Sequence, residues 1–472
     1  MSNGVETPTR KSMAGDPRLR KIRALRSGVE AMRAAGQAYL PKEEAEVDSD
    51  YADRLARSWL FPGLDMAIED VADRVFAREV TLGDDVPDDI VALSENITAE
   101  GRNLNTFARS YFEDGVEAGI SFAFIDGPTR NGDETLADEI NQNLRPYVSD
   151  IKAEHVLGWK TTLVGNKTVL SQFRFWEMDT VPDPENRFAD MEVEQIRVLT
   201  RGEGIVEFET YRNIDGIWEA WDSGFMGIPE IPVVAFYTKR TGFFTADPPY
   251  EKLADLNIAH WQSASDQRHI LHFARVPILA LFGFEGEVSL GPNRAFITSK
   301  GPGDADLKIV EHSGAAIGAG RDDLKDLELR MQSMGVQLML PTPGSQTATG
   351  KALDAAAAAT PLAMMANSLK DALEMVIDFM NQFMGAPAGT AGSVNVNTDF
   401  GLSLLNGADL TFLLNAVNTG QISRQTFLAE CVRRNVLMEG IDPEEEAERI
   451  ETEMPEPLTL PVIDEGEGDD QE

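Results

Sequence analysis

Asp247-Pro-Pro-Tyr-Glu-Lys-Leu-Ala-Asp-Leu-Asn-Ile-Ala-His260 opens the stretch whose reading decides the fold. After the two prolines the hydrophobic period becomes helical and stays so over about 250–273. Proline suits the edge of a helix and not its interior, so a helix starting just past Pro249 is predicted. Short apolar runs cut by Gly and Pro follow at 276–284, 294–298 and 307–310, and read as a small β-rich insert. A second helix is predicted over about 320–340. Its Leu324, Leu327, Met331, Met334 and Leu338 recur at steps of 3-4-3-4, which makes one apolar stripe. Asp322, Asp323, Asp326 and Glu328 lie off that stripe. The motif is therefore helix, β insert, helix.

Upstream the period differs. Residues 160–237 contain strand-like runs broken by Gly202-Glu-Gly204 and Asp215-Gly216, the signature of antiparallel hairpins. The run at 232–237 is apolar enough for a buried strand. Nearer the start, a helix over 15–40 is expected after Asp16-Pro17, an N-cap followed by proline at the first helical position. Further helices are expected at about 50–76 and 106–118, an acidic turn at 84–89, and a strand at 120–125. Downstream, 341–350 reads as a loop and about 351–384 as a long helix kinked at Pro361. Residues 385–392 read as a flexible link. Ser423 with Ile422 and Phe427 reads as a stapled N-cap, and Asp442-Pro-Glu-Glu445 as a capping box.

The chain has 472 residues, enough for two to four structural units. Hydrophobic residues make up 42%, and the 39 glycines bring apolar content to about half, as in globular chains. The formal net charge is −37. That disfavours a protein that grips nucleic acid by neutralising phosphates, though not one that lets DNA slide past. The charge is uneven. Residues 1–41 carry eight basic and three acidic side chains, and 439–472 carry fifteen acidic side chains and one Arg. Solvated, mobile termini are the plain expectation for both ends. The single cysteine, Cys431, cannot make an intrachain disulfide and reads as a small buried apolar residue. No signal peptide is expected. The apolar run at 276–284 is far short of the ~20 residues a spanning helix needs, so no membrane association is expected.

No active site emerges. Gly344-Ser-Gln-Thr-Ala-Thr-Gly350-Lys351-Ala352 places five residues between its glycines, where a phosphate loop needs four, and Ala352 lacks a hydroxyl for Mg²⁺. His260 and His269 fall on opposite faces of one helix, and His269 with His272 has no evident third ligand, so structural or surface roles are expected and no metal. Gly202-Glu-Gly204 lacks the third glycine of a dinucleotide fingerprint.

Taken together and in order, several segments resemble the portal proteins of tailed bacteriophages over about 35–455. They are Tyr39-Leu-Pro-Lys42 with Tyr51-Ala-Asp-Arg-Leu55, Phe107 through Asp126-Gly-Pro128, and Pro248 through His260 to Pro277. Gly318-Ala-Gly-Arg-Asp-Asp-Leu324, Gln346-Thr-Ala-Thr-Gly350 and Gly420-Gln-Ile-Ser-Arg-Gln-Thr426 complete the set. The resemblance implies an α+β portal fold. Its parts would be a basic N-terminal arm at 1–39, a wing of helices and hairpins at 40–249, and a first stem helix at 250–275. A β-rich clip at 276–315, a second stem helix at 316–340 and a channel loop at 341–350 would follow. A kinked helix at 351–385, a short helical crown at 386–455 and an acidic disordered tail at 456–472 would complete the chain.

It further implies a homo-oligomeric ring, expected to be a dodecamer, at one capsid vertex of a virion assembled in the host cytoplasm. Double-stranded DNA would pass through it non-specifically in packaging and ejection. Partners would be the terminase large subunit, major capsid and scaffolding proteins, and head–tail adaptors. No cofactor, metal or catalytic activity is expected. Asp322, Asp323, Asp326, Glu328, Gln346, Thr347, Thr349 and Lys351 are candidate channel-lining residues. Leu324, Leu327, Met331, Met334 and Leu338 are candidates for packing between subunits. The alternatives are another acidic virion protein, such as a scaffold or head–tail adaptor, and more distantly a nucleotide hydrolase using Gly344 to Lys351.

Overall fold

Asp16 and Pro17 start the first helix as their residue types require, the Asp16 carboxylate accepting from the Arg18 amide at 2.8 Å. The computed structural model describes residues 4–127, 145–275, 278–282, 306–310, 315–335, 361–398, 400 and 407–433, with 446 and 449. Contacts divide the chain into two units, Met1–Phe400 and Gly401–Glu472.

The first unit opens with α1 (Pro17–Arg26) and α2 (Val29–Ala35). The single helix expected over 15–40 is broken at Gly28, whose φ of 87° is open to glycine at little cost. Next come α3 (Asp48–Arg57) and α4 (Gly63–Val75), so the helix expected over 50–76 is also two, parted by a segment ending in Pro62. Then follow β1 (Thr81–Leu82), α5 (Asp88–Ser94), α6 (Leu104–Ala118), β2 (Ile120–Asp126) and β3 (Tyr147–Ile151). The acidic turn expected at 84–89 ends as the first turn of α5, where Asp88 and Asp89 suit the positive end of the helix dipole.

A five-stranded antiparallel meander occupies the middle: β4 (Val156–Val164), β5 (Lys167–Pro182), β6 (Asp190–Arg201), β7 (Val206–Ile214) and β8 (Ile217–Met226). The Asp215-Gly216 turn has the two positive φ values, 50° and 83°, that a two-residue hairpin of type I′ demands. β9 (Val233–Tyr237) then pairs with β2, which sits centrally in a separate three-stranded antiparallel sheet with β3. β10 (Arg240–Gly242) and β11 (Thr245–Ala246) form a small hairpin.

α7 (Glu251–Ala274) follows, then β12 (Ile278–Phe282) paired antiparallel with β13 (Asp306–Val310), then α8 (Ala315–Gly335) and α9 (Pro361–Phe383). The helix–β–helix order read from the sequence is thus present, with α8 starting five residues earlier than expected. Pro361 is the first residue of α9, and 351–360, the part of the expected helix before its kink, lie outside the described residues. β14 (Val394–Asn395) pairs with β1, so 386–400, grouped on sequence with the C-terminal helices, fall in the first unit.

The core lies where α6 and α9 cover the three-stranded sheet, with α4 packed against both helices. Phe107, Tyr111, Phe112, Phe124 and Phe236 are all buried there. Tyr111 donates its hydroxyl to Val234 O at 2.9 Å, which satisfies the one polar atom it carries inward. The second unit contains α10 (Gly407–Asn418) and α11 (Arg424–Arg433). Ser423 caps α11 as expected, its Oγ accepting from the Thr426 amide at 3.0 Å, and Cys431 is buried. The capping box expected at 442–445 lies outside the described residues.

The N-terminal segment is not a free arm. Thr9 donates its amide to Leu157 O at 2.7 Å, and Leu19, Ile22 and Leu25 of α1 are buried. Arg23 meets Asp114 at 2.8 Å, Glu154 at 2.7 Å, and also Glu117. Arg26 meets Glu117 at 2.8 Å, Glu113 at 3.2 Å, and also Asp65. These two arginines of the basic end are therefore spent inside the fold, against carboxylates of α4 and α6 and the stretch before β4. That corrects the expectation of a solvated, mobile N-terminus. Burial pushes the Glu117 carboxyl upward in pKa, and the two guanidiniums offset this only in part, so it stays raised.

Candidate functional site

The α7–α8 pair is the feature the sequence singled out, and its side chains settle how the two helices run. Tyr250 donates its hydroxyl to Gly335 O at 3.0 Å. His260 Nε2 lies 3.3 Å from Glu328 Oε1, Ser263 Oγ donates to Asp323 Oδ2 at 2.8 Å, and Gln267 Nε2 donates to Ile317 O at 2.9 Å. As α7 advances, its partners on α8 step backward, so the helices are antiparallel over their full facing length. At 1.5 Å per residue the ladder from 317 to 335 is about 27 Å long. A Cβ on Gly320 would collide with the Gln267 amide, so glycine there permits the close approach.

α7 is held from below by α3 and α4. Asn257, buried, accepts from the Leu64 amide at 2.9 Å and donates to Phe61 O at 2.9 Å. Pro62 at the N-cap of α4 offers no side-chain cap, so Asn257 supplies one from another helix. Ser58 and Ser265 join their hydroxyls at 3.1 Å. Arg54, only 5% exposed, is bound to Glu46 at 2.8 Å and to Pro41 O at 2.9 Å. The guanidinium pulls the Glu46 carboxyl down to about 2.

His260 is buried between Trp59, Phe61 and Glu328. Burial pushes its pKa down, against the upward pull of Glu328. The ring is then neutral near neutral pH, and a carboxylate can only accept, so Nε2 carries the proton and Nδ1 is bare. This fits the structural role expected for it. Among the described residues no group of three or more His, Cys, Asp or Glu is placed to hold a metal ion.

The candidate channel residues divide. Asp323 and Glu328 bond to α7, whereas Asp322 and Asp326 do not; all but the half-buried Glu328 are exposed. Arg321 lies 3.8 Å from Asp322, both well exposed. Gln346, Thr347, Thr349 and Lys351 lie outside the described residues, as does Leu338. Within the stripe, Leu327 and Met331 are buried in their own chain at 8% and 1% exposure, and a Cβ on Gly63 would sit 3.0 Å from Met331 Sδ. Leu324 and Met334 are half-buried. The stripe therefore serves first to seat α8 on α4 and α7, which spacing alone did not reveal. What remains outward is Leu329, 63% exposed and off the stripe.

The sequence reading missed a cluster at the far end of α7. Arg33, Arg57, Trp59, Arg268, Leu271, His272 and Arg275 line a common cleft with Ala56 and Ser58. These residues come from three helices and the segment after α3, and no spacing in the chain unites them.

Residues 249–384, which take in α7, β12, β13, α8 and α9, match the family described as "Domain of unknown function (DUF4055)". No curated protein matches the chain. Among solved structures it is similar to a chain of the "Virion of native gene transfer agent (GTA) particle", at 11% identity and a TM-score of 0.39, covering 85% of this chain and 98% of that one. It is also similar to a chain of the "Neck of empty GTA particle computed with C6 symmetry", at 11% identity and a TM-score of 0.40, over 79% and 90% of the two chains. A third is the "Neck of native GTA particle computed with C12 symmetry", at 11% identity and a TM-score of 0.39, over 78% and 88%.

Proposed function

We propose that this chain is the subunit of a portal ring, a conduit for double-stranded DNA at one vertex of a virus-like particle. The observation that carries the reading is the antiparallel α7–α8 pair, with a strand pair between the helices and exposed carboxylates at Asp322 and Asp326. A ring of such pairs would present repeated negative charge to a moving polyanion. Each neutralised phosphate adds affinity and so drag, whereas like charge keeps the backbone off the wall. The chain's net charge of −37 supports the same logic.

Assembly needs apolar area to bury. Ile217, Trp221 and Phe225 on the edge strand β8 are each more than half exposed, as is Leu329 on α8, and these are surfaces a neighbouring copy would cover. In this reading the ring is a homo-oligomer, with twelve copies the working number, and carries out no catalysis. The terminase supplies the hydrolysis, and capsid, scaffolding and adaptor proteins bind around the ring.

Negative-stain images of the purified protein should show rings with a central hole. A protein that stays monomeric under every condition, including within particles, would defeat the proposal. Asp322→Lys with Asp326→Lys should leave rings intact and slow or stall packaging. Packaging at the unaltered rate would remove these two carboxylates from the channel wall.

A further inference from the structure

We propose that the cleft between the C-terminal ends of α3 and α7 binds a phosphoryl group. The cleft is open-mouthed and has a volume of about 530 Å³. That lies within the ~300–1,000 Å³ typical of small-ligand sites. Arg33 enters it from α2, Arg57 from the end of α3, Arg268 from α7 and Arg275 from just past α7. None of its described lining residues is acidic, in a chain with 79 acidic residues.

The guanidiniums are not spent elsewhere to the same degree. Arg33 donates to Glu30 at 2.8 Å and to Ser58 O at 2.9 Å, which fixes its position and uses its two terminal nitrogens. Its Nε is buried without a partner, and so is the Nε of Arg57. Among the described residues no carboxylate forms an ion pair with Arg57, Arg268 or Arg275. Arg268 rests over the ring of Trp59, 5.8 Å from its centroid, which holds the side chain at the mouth of the cleft.

A simpler account would place arginines at helix C-termini to complement the dipole. It covers Arg33 and Arg57, each in the last turn of its helix, and Arg275 just past α7. It does not cover Arg268, which lies well before the end of α7, nor the convergence of all four on one cavity. Several guanidiniums around one cavity also call for an anion with more than one charge and more than two acceptor oxygens. A single carboxylate fills one arginine fork, whereas a phosphoryl group offers three oxygens and close to two charges. The site is a property of one chain and stands whether or not the chain forms a ring.

The test uses the full-length protein at low salt, with inorganic pyrophosphate, a short DNA duplex and a glutamate-rich peptide as separate probes in titration calorimetry. Pyrophosphate should bind, and its affinity should fall as salt rises. Arg57→Gln combined with Arg268→Gln should weaken it by roughly tenfold or more, the loss of about one charge-assisted bond. Arg268 is exposed, so Arg268→Gln alone should keep the native circular dichroism spectrum and still weaken binding. Loss of both pyrophosphate and duplex binding in the variants identifies a nucleic-acid phosphate as the natural source. Loss of pyrophosphate binding alone, with no duplex bound by either protein, identifies a small phosphate compound. The proposal is overturned if pyrophosphate does not bind, if the variants bind it as the parent does, or if the acidic peptide binds the cleft more tightly than pyrophosphate.

Discussion

Asn257→Ala removes two hydrogen bonds with one side chain. The Leu64 amide and the Phe61 carbonyl each lie 2.9 Å from the Asn257 carboxamide, and Asn257 itself is only 1% exposed. An unpaired buried backbone group costs about 1–3 kcal/mol, so the pair should cost about 2–4 kcal/mol after partial relief by an entering water. Asn257→Asp separates this account from a loss of packing. At neutral pH one carboxylate oxygen still accepts from Leu64, but the other faces the Phe61 carbonyl, which also only accepts.

Burial and that carbonyl should raise the folded-state pKa of the new Asp above its unfolded value. The penalty is then fully present above the folded pKa and fades as pH falls toward the unfolded value near ~3.9. Below it the protonated oxygen donates to Phe61 and both bonds return. Urea unfolding of parent, Ala and Asp proteins, followed by tryptophan fluorescence between about pH 7 and pH 5, gives the comparison. The Asp protein should gain on the Ala protein as pH falls. A constant gap between them, or an Ala variant within about 0.5 kcal/mol of the parent, would refute the capping role of Asn257.

Met331→Ala should destabilise the monomer by about 2–5 kcal/mol, whereas Leu329→Ala should leave monomer stability nearly unchanged and weaken any ring, as thermal melts and native mass spectrometry would reveal. Glu46, held near 2 by Arg54 against an ordinary value of 4.5, contributes stability that is complete above about pH 4.5 and lost as pH falls toward 2. Glu46→Gln should therefore flatten the acid limb of an unfolding-versus-pH curve, and an unchanged limb would show that the pair contributes nothing there.

Local signals in this chain were strong wherever one or two residues dictate backbone geometry. Asp16-Pro17 announced α1, Asp215-Gly216 announced the β7–β8 hairpin, Ser423 announced α11, and Pro248-Pro249 announced α7, because caps, prolines and positive-φ turns act within a few residues. The helix–β–helix order was legible for the same reason. The helix breaks at Gly28 and Pro62 were less so, since an amphipathic period continues across them.

What the α8 stripe packs against could not be read from spacing. Periodicity shows that Leu327 and Met331 must be covered, and only the tertiary structure shows that α4 and α7 of the same chain cover them. Net charge likewise conceals position. The eight basic residues near the N-terminus looked like a free arm until Arg23 and Arg26 met carboxylates about ninety residues away in α6. The sequence determined which segments become helix or strand, since those choices depend on neighbours a few bonds apart. The structure alone decided which charges cancel and which converge, as Arg33, Arg57, Arg268 and Arg275 do, because Coulomb interactions follow distance through space and the chain order carries no record of it.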